Sequence, residues 1–218
     1  MKISKKIYLI SFVLVFLISC GSITTITGYW NTEEPIQKTY KKIGTIAVTS
    51  NIQNRKIVEE KFSERFITNG YQAIECSKIL SPDIIKKKDK NLITNILKDN
   101  NIDGFLIVSI LNIKEGSRYI PGASHYYPST YYNSYYDYYY YNYDRVYVDG
   151  YYEKTIDVFL ESNFYDVASG KLMSTMQTET MNPSDIYDLA DSFSETIVKA
   201  LIENKIISKI KIDNINPN

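Results

Sequence analysis

The sequence predicts an α/β domain of α+β character, built on a mixed sheet of about five strands with about three helices. Short β-branched segments alternate with segments in which apolar residues recur every three or four positions, as strands alternate with amphipathic helices. Residues 105–111 are apolar on both faces, which indicates a strand in the middle of a covered sheet. Two segments of alternating polarity in the second half predict an antiparallel pair. The expected order is β-α-β-α-β, a tyrosine-rich insertion, then β-β-α.

The first strand and helix are predicted within residues 43–70. Residues 43–49 are short and β-branched, which favours a strand. Asn51 or Asn54 can cap the following helix, and Asn69-Gly70 ends it because glycine tolerates the left-handed conformation that closes a helix. The positions that predict its buried side are Val58, Phe62 and Phe66, with Ile57 and Ile67 beside them.

The next elements complete the predicted parallel part of the sheet. Residues 71–76 form a brief second strand, in which Cys76 is expected to be buried as a small apolar side chain. Ser81 followed by Pro82 is a strong helix start, because serine caps a helix and proline fits its first turn. Residues 92–97 predict a second amphipathic helix before the middle strand. Strands and helices in this order imply right-handed parallel crossovers.

The second half predicts a hairpin and one long helix. Residues 155–164 alternate in polarity, residues 166–171 turn the chain, and residues 172–179 return antiparallel. Ile107 and Leu160 are expected in the core, because each lies mid-strand on an apolar face. The last helix opens at Asn182-Pro183-Ser184-Asp185 and carries an apolar stripe of Ile186, Leu189, Ala190, Phe193, Ile197 and Leu201. Its acidic side, interpreted as a solvated face, consists of Asp185, Asp188, Asp191 and Glu195.

The element order and the turn at residues 164–172, Phe-Tyr-Asp-Val-Ala-Ser-Gly-Lys-Leu, resemble the small α/β domains of bacterial envelope lipoproteins. The resemblance is to uncharacterised lipoproteins and, more distantly, to the LpoB-type activators of peptidoglycan synthases, the amino-terminal domain of TolB and the curli-secretion protein CsgG. The resemblance covers residues 43–204. It implies a role in binding or assembly within the envelope, and the tyrosine-rich insertion departs from its pattern.

The amino terminus predicts export and lipidation. Three lysines among the first six residues precede an apolar run, residues 7–18, that is well under the roughly 20 residues needed to span a bilayer as a helix. Leu17-Ile18-Ser19-Cys20 resembles the bacterial lipobox, which implies diacylglyceryl transfer to the Cys20 thiol, cleavage before Cys20 and acylation of the new amino terminus. An ordinary signal peptide with an incidental cysteine, or an uncleaved anchor, is the alternative. Gly21 is not the aspartate that favours inner-membrane retention, so the analogy favours the outer membrane, facing the periplasm.

The predicted organisation has four parts. Residues 1–19 are a lipoprotein signal peptide, residues 20–42 the lipidated cysteine and a flexible tether, residues 43–208 a single α/β domain and residues 209–218 a carboxyl-terminal tail. The domain contains a tyrosine-rich, low-complexity insertion at residues 116–152. The only tryptophan, Trp30, lies in the predicted tether, where it either contacts the membrane interface or packs against the domain.

The tyrosine-rich insertion is the candidate partner-binding site. Eleven of the eighteen residues from 126 to 143 are tyrosine, and a tyrosine offers a large flat surface with only two side-chain torsions to fix. Such a segment can stack on sugar rings, bind extended peptides or self-associate, or it is a hairpin extension with no dedicated ligand. The candidate partner-binding residues are Tyr126, Tyr127, Tyr131, Tyr132, Tyr135, Tyr136, Tyr138, Tyr139, Tyr140 and Tyr141.

Composition and motifs argue against several classes of function. Without the three signal lysines the chain has 22 basic and 25 acidic residues, a net charge of −3, and it shows no basic patch of the kind that binds nucleic acid. Once Cys20 is acylated, Cys76 is the only thiol, so no internal disulfide is expected. The sequence contains no HExxH, GxSxG or phosphate-binding glycine-rich loop, and its one histidine, His125, is expected to be incidental. No catalytic residue, metal site or cofactor is predicted.

The sequence therefore predicts a lipid-anchored, non-enzymatic protein of the cell envelope that binds another envelope component, either a protein or a cell-wall glycan. Acyl chains such as palmitate on Cys20 would hold it on the membrane. The alternative is a structural or adhesive surface lipoprotein whose tyrosines self-associate or contact glycans. A weaker alternative is a carboxylate-dependent cell-wall hydrolase. The sequence leaves the oligomeric state open.

Overall fold

The computed structural model describes residues 21–33, 39–87, 89–120 and 151–208, and these residues form one six-stranded mixed sheet with four α-helices. The strands are β1 (Ile23–Asn31), β2 (Lys42–Val48), β3 (Gln72–Glu75), β4 (Gly104–Ile120), β5 (Tyr151–Asp166) and β6 (Leu172–Met181). The helices are α1 (Ile52–Thr68), α2 (Pro82–Lys86), α3 (Lys90–Asp99) and α4 (Ile186–Glu203), with a 3₁₀ turn at Cys76–Lys78. Within the described residues, no helix is long and apolar enough to cross a membrane.

The sheet has the strand order β1-β6-β5-β4-β2-β3. β2 pairs in parallel with β3 and β4, whereas each neighbouring pair from β4 through β5 and β6 to β1 is antiparallel. The predicted α/β class is confirmed, and β4 lies in the middle of the sheet as expected. The structure adds β1 as a sixth strand beside β6.

One face of the sheet, called the helix face below, is covered by α1 and α4 and holds the main core. Phe62 of α1 and Phe193 of α4 meet edge to face with ring centroids 5.3 Å apart, which joins the two helices over the sheet. Leu160 is buried in this core, as predicted. The other strand residues that contribute most to it are Ile43, Leu106, Val108, Phe164 and Met176.

The opposite face is covered over β2, β3 and β4. There α2 and α3 pack in a second apolar cluster, which includes Cys76, Leu97 and Ile102. Cys76 is fully buried, as predicted, and its burial raises the pKa of the thiol far above the ordinary value. Ile107, which was predicted in the core, is only partly buried and packs against this second cluster. None of the described helices packs on β5, β6 or β1 on this side, which is called the open face below.

The predicted helix ends are confirmed in most details. Asn51 caps α1 by accepting hydrogen bonds from the backbone N–H groups of Gln53 and Asn54, and Gly70 closes it with a φ of 89°. Ser81 caps α2, with Pro82 at its first position. The acidic side of α4 is solvent-exposed, as expected, with Asp185 and Glu195 exposed and the Asp191 side chain 49% exposed. Its carboxylates bond to the chain itself: Asp185 accepts from Asp188 N as the α4 cap, Asp188 accepts from Ser22 N, and Asp191 and Glu195 pair with Arg65.

The predicted tether at residues 20–42 is wrong for residues 23–31, which form the edge strand β1. The Thr24 hydroxyl lies 2.7 Å from the Thr180 hydroxyl and accepts a hydrogen bond from Ser192 Oγ at 2.9 Å, so the strand is fixed to β6 and α4. Threonine is polar, but its β-branched side chain favours strands, and the partner strand β6 is far away in the sequence. Just before this strand, the backbone N of Ser22 donates to Asp188 Oδ1 at 2.9 Å.

β4 and β5 continue beyond the other strands as a two-stranded ribbon, defined here as residues 112–120 and 151–157. β6 ends at Met181, opposite Asp157, and β2 ends at Val48, opposite Ser109. The predicted insertion at residues 116–152 is therefore too long, because residues 116–120 and Tyr151 and Tyr152 belong to paired strands. The remaining residues, 121–150, connect the two strands at the tip of the ribbon and lie outside the described residues.

Candidate binding surface

The residues that the sequence singled out for binding lie outside the described part of the chain. This applies to Cys20 and to all ten candidate tyrosines from Tyr126 to Tyr141. Their described neighbours are Tyr119 and Tyr152, whose rings face each other across the ribbon at a centroid distance of 5.2 Å. The described residues themselves offer a different candidate surface, on the open face.

A row of polar side chains, called the polar row below, crosses the open face on β5 and β6. The antiparallel register places Glu161 opposite Gln177 and Asn163 opposite Thr175, so all four side chains project from the same face. Asn163 Nδ2 donates to Glu161 Oε1 at 3.0 Å, and Gln177 Nε2 donates to Glu161 Oε2 at 3.1 Å. Thr175 Oγ1 donates to Asn163 Oδ1 at 2.7 Å. These bonds hold a carboxylate, two amides and a hydroxyl in fixed directions on a partly exposed surface.

Trp30 borders the polar row on the side of β1. It pairs in register with Thr175 and therefore lies on the open face directly beside it. Trp30 is 50% exposed, although an indole is among the side chains that most favour burial or an interface. Trp30 thus offers a flat apolar platform next to hydrogen-bonding groups.

An apolar groove borders the polar row on the side of β4. It lies between α3 and the sheet, and its volume of about 390 Å³ is within the range of ligand sites in proteins. The lining side chains that matter most are Ile93, Leu97, Phe105, Ile107 and Tyr165. Asn163 pairs with Ile107 and Tyr165 pairs with Phe105, so the groove and the polar row are adjacent on one continuous surface.

The open face combines what an extended sugar or a similar hydroxyl-rich chain requires. Aromatic and apolar surfaces cover the flat faces of a sugar ring, while amides and a carboxylate bond to its hydroxyl groups. Sequence reasoning missed this surface because Trp30 was placed in the tether and because β5 and β6 were considered separately. The sequence did contain a signal for it. Polar residues stand at the alternating positions 161 and 163 and again at 175 and 177, in two strands that were predicted to pair antiparallel.

A second polar cluster is buried and has a structural role. Glu59 is fully buried, and its Oε1 accepts from Ala47 N at 3.1 Å and from Arg55 Nε at 2.8 Å. Its Oε2 accepts from Ser77 N at 2.7 Å, while Arg55 donates to the carbonyl of Leu80. The pair thus ties α1 to β2 and to the 3₁₀ turn. In the described part of the chain, no three His, Cys, Asp or Glu side chains form a group that could hold a metal ion.

A third feature is the junction between the amino terminus and α4. A wide groove of about 690 Å³ runs between β1 and α4. At one end of it, Asp188 accepts hydrogen bonds from the backbone N–H groups of Ser184 and Ser22, which lower the pKa of its carboxyl below the ordinary value. The first described residues of the chain are therefore held at the amino-terminal end of α4.

No protein-family model matches the chain, and no curated protein matches it. Among solved structures, the chain is similar to the PelC dodecamer from Paraburkholderia phytofirmans, with 11% identity and a TM-score of 0.44 over 81% of this chain and 96% of that one. It is also similar to the lipoprotein GNA1162 from Neisseria meningitidis, with 9% identity and a TM-score of 0.37 over 76% of this chain and 98% of that one. Likenesses this remote say nothing about the ligand or the assembly of the present chain.

Proposed function

We propose that the chain is a lipid-anchored, non-enzymatic protein of the cell envelope that binds another envelope component on its open face. The observation that supports this most directly is the polar row, held by three side-chain hydrogen bonds between an apolar groove and the half-exposed Trp30. The indole, the polar row and the apolar groove lie side by side, and ligand sites in proteins combine apolar surface with a few fixed polar groups in this way. Lipidation of Cys20 and a location on the outer membrane, facing the periplasm, belong to the same proposal.

The ligand class that best fits this surface is a glycan chain of the cell wall. The groove, the polar row and Trp30 follow one another across neighbouring strands, so they can contact successive units of an extended polymer. Both oxygens of Glu161 accept hydrogen bonds from amides, which positions this carboxylate as an acceptor for ligand hydroxyls. Binding of this kind requires no bond cleavage, in agreement with the proposed absence of catalysis.

Sedimentation of the chain with insoluble cell-wall glycan tests the proposal. We expect Trp30→Ala to weaken binding about thirtyfold, because truncating an aromatic anchor at an interface costs roughly 2 kcal/mol or more. Asn163→Ala combined with Gln177→Ala should weaken binding as well, since it removes two groups of the polar row. Gln53→Ala combined with Asn95→Ala, at exposed positions on α1 and α3, is the matched control and should bind as the parent does.

A variant without the tyrosines separates this proposal from the adhesive alternative. Residues 124–142 are replaced by a short Gly-Ser linker, which should preserve the fold because the free energy of loop closure varies slowly with loop length. Retained glycan binding supports a site on the open face. Binding that is lost in this variant, but kept in the Trp30 and polar-row variants, would contradict the proposal and assign the contact to the tyrosines. Circular dichroism confirms that each variant is folded.

A further inference from the structure

The exposed apolar side chains are concentrated at one end of the domain, called the ribbon end below. β1 begins at this end, and β2 and β6 end there. Ile23, the first residue of β1, pairs with Met181, the last residue of β6, and Met181 pairs with Asp157, from which the ribbon projects. α1 and α4 also begin at this end, since each follows the end of β2 or β6. Twelve of the sixteen large apolar side chains that are exposed among the described residues lie at the ribbon end or on the ribbon. This asymmetry is unlike the scattered apolar exposure of an ordinary protein surface.

The two faces of the ribbon differ in chemistry. The register places Ile113, Ile156, Tyr119 and Tyr152 on the continuation of the helix face, because they are in phase with the buried Val158 and Leu160. Ile113 is 52% exposed and Tyr152 is 71% exposed, so no described residue covers this stripe. The other face carries Lys114 opposite Asp157, and the ion pair between Arg118 and Glu153 at 2.9 Å. The first face therefore carries more of the exposed apolar side chains of the ribbon, while Tyr151, 62% exposed, lies on the second face at its tip.

The apolar stripe continues the core beyond the point where the helices stop. α1 and α4 cover the helix face only from their first residues, Ile52 and Ile186. Ile52 is itself 65% exposed, and Ile110 lies beside a small apolar notch between the two helix starts. A strand pair with this alternation, and with no helix over its apolar side, is suited to contact with a flat apolar surface.

The position of the lipid anchor indicates what that surface is. Ser22 is bonded to Asp188 in the first turn of α4, which lies on the helix face at the ribbon end. Two peptide units separate Ser22 from Cys20, and they span no more than about 7 Å. A lipid on Cys20 would therefore join the domain at the same end, and on the same side, as the apolar stripe. Tyrosine rings such as those of Tyr119 and Tyr152 favour the boundary between headgroups and acyl chains.

We propose, on the basis of the lipid anchor proposed above, that the apolar stripe of the ribbon and the neighbouring ribbon end lie on the bilayer that holds the anchor. The ribbon acts as an amphipathic interfacial element, with its charged face toward water. Two charged side chains, Glu115 and Lys154, also lie on the apolar side and are exposed, so they can reach the headgroups at its margin. The domain then presents its open face beside the membrane rather than at the end of a long tether.

Depth-dependent fluorescence quenching tests this orientation. The full lipidated chain, purified from membranes, is placed in vesicles of phosphatidylcholine brominated near the headgroup. Three single-tryptophan proteins are compared: the parent with Trp30, and Trp30→Phe carrying either Tyr152→Trp or Thr155→Trp. Tyr152 lies on the apolar side of the ribbon, and Thr155 lies on the charged side. Trp30 lies about seven residues along β1 from the ribbon end, and each strand residue adds roughly 3.3 Å to that distance.

We expect emission from Tyr152→Trp to shift to the blue and to be strongly quenched, emission from Thr155→Trp to be quenched less, and Trp30 to be unaffected. Equal emission from the three proteins, or strong quenching of Trp30 alone, would overturn the proposal. A blue shift of Tyr152→Trp that is already present in the unlipidated Cys20→Ala chain, in buffer without lipid or detergent, would also overturn it, because a second copy or residues 121–150 would then cover the stripe. Mass spectrometry of the Cys20 peptide shows separately whether the anchor exists. A lipidated chain without quenching contradicts only the orientation, whereas a chain without lipid contradicts the anchoring as well.

Discussion

β4 and β5 pass through two different environments without losing their pairing. In the inner half, from Gly104 to Val108, the helix-face side chains of β4 and of its partner residues in β5 are buried beneath α1 and α4. In the ribbon half, beyond a bulge in β4 between Ile110 and Asn112, the alternation resumes, but Ile113 and Ile156 on the same face are exposed. The two halves also differ in their neighbours, because β2 and β6 flank the inner half and end before the ribbon.

This difference separates the part of the hairpin that stabilises the fold from the part that is available for function. Removing apolar surface from water contributes about 25 cal/mol per Å², and two-stranded ribbons without such burial are marginal in water. The inner half is therefore expected to resist change, whereas the ribbon should accept substitution at little cost to folding. Matched substitutions in the two halves test that expectation.

The largest difference is expected between two ion pairs. Glu59→Gln leaves the buried Arg55 guanidinium without a counter-charge, and breaking a buried pair costs about 3–5 kcal/mol. Glu153→Gln makes the same chemical change in the exposed pair with Arg118 on the ribbon, where about 0–1 kcal/mol is expected. Urea unfolding of both variants measures the two free energies. Equal losses in the two variants would show that the ribbon is part of the stabilising structure.

A smaller difference is expected between two residues on the same face of β4. Leu106→Ala removes a fully buried side chain and should lower the free energy of unfolding by about 2–5 kcal/mol. Ile113→Ala, seven positions further along, should lower it by about 0.5 kcal/mol or less, as at most surface sites. Both variants are unfolded in urea without lipid. A comparable loss for Ile113→Ala would mean that something covers the ribbon in solution.

The sequence predicted the parts of the fold that local chemistry decides. The cap at Asn51, the turn at Asn69-Gly70 and the start at Ser81-Pro82 are set by backbone geometry within a few residues, and all three were predicted, the cap as either Asn51 or Asn54. Strand β1 was missed because its threonines are held by β6 and α4, which lie more than 140 residues away. The end of β4 was missed for a related reason. Residues 116–120 contain glycine, serine and arginine, and only pairing with β5 makes them a strand.

The candidate site was less predictable than the fold. The polar row requires the exact register between β5 and β6, and a shift by one residue would turn Glu161 toward the core. Trp30 was noticed as the only tryptophan, but its place beside Thr175 depends on the β1–β6 pairing. The acidic residues of α4 were correctly assigned to one side of a helix. Their bonds to Ser22 and Arg65 depend on tertiary contacts that periodicity does not contain.

The smallest of the expected effects concerns Asp188 and the way the amino terminus is held at the ribbon end. Hydrogen bonds from Ser184 N and Ser22 N lower the pKa of this carboxyl in the folded chain below the value of about 3.9 for an unperturbed aspartate. A group whose pKa is depressed by folding stabilises the fold above its unfolded pKa, and this contribution disappears as the pH falls through the folded pKa. The contribution of Asp188 should therefore be constant from pH 7 to about 5 and decline below about pH 4. Urea unfolding of Asp188→Asn at pH 7, 5 and 3 measures it, with Asp99→Asn, at an exposed position on α3, as the matched control. We expect Asp188→Asn to be less stable than the parent at pH 7 and to approach it at pH 3, and to exchange the Ser22 amide hydrogen faster at pH 7. A difference from the parent that is the same at all three pH values would show that the carboxylate charge does not hold the start of β1 to α4.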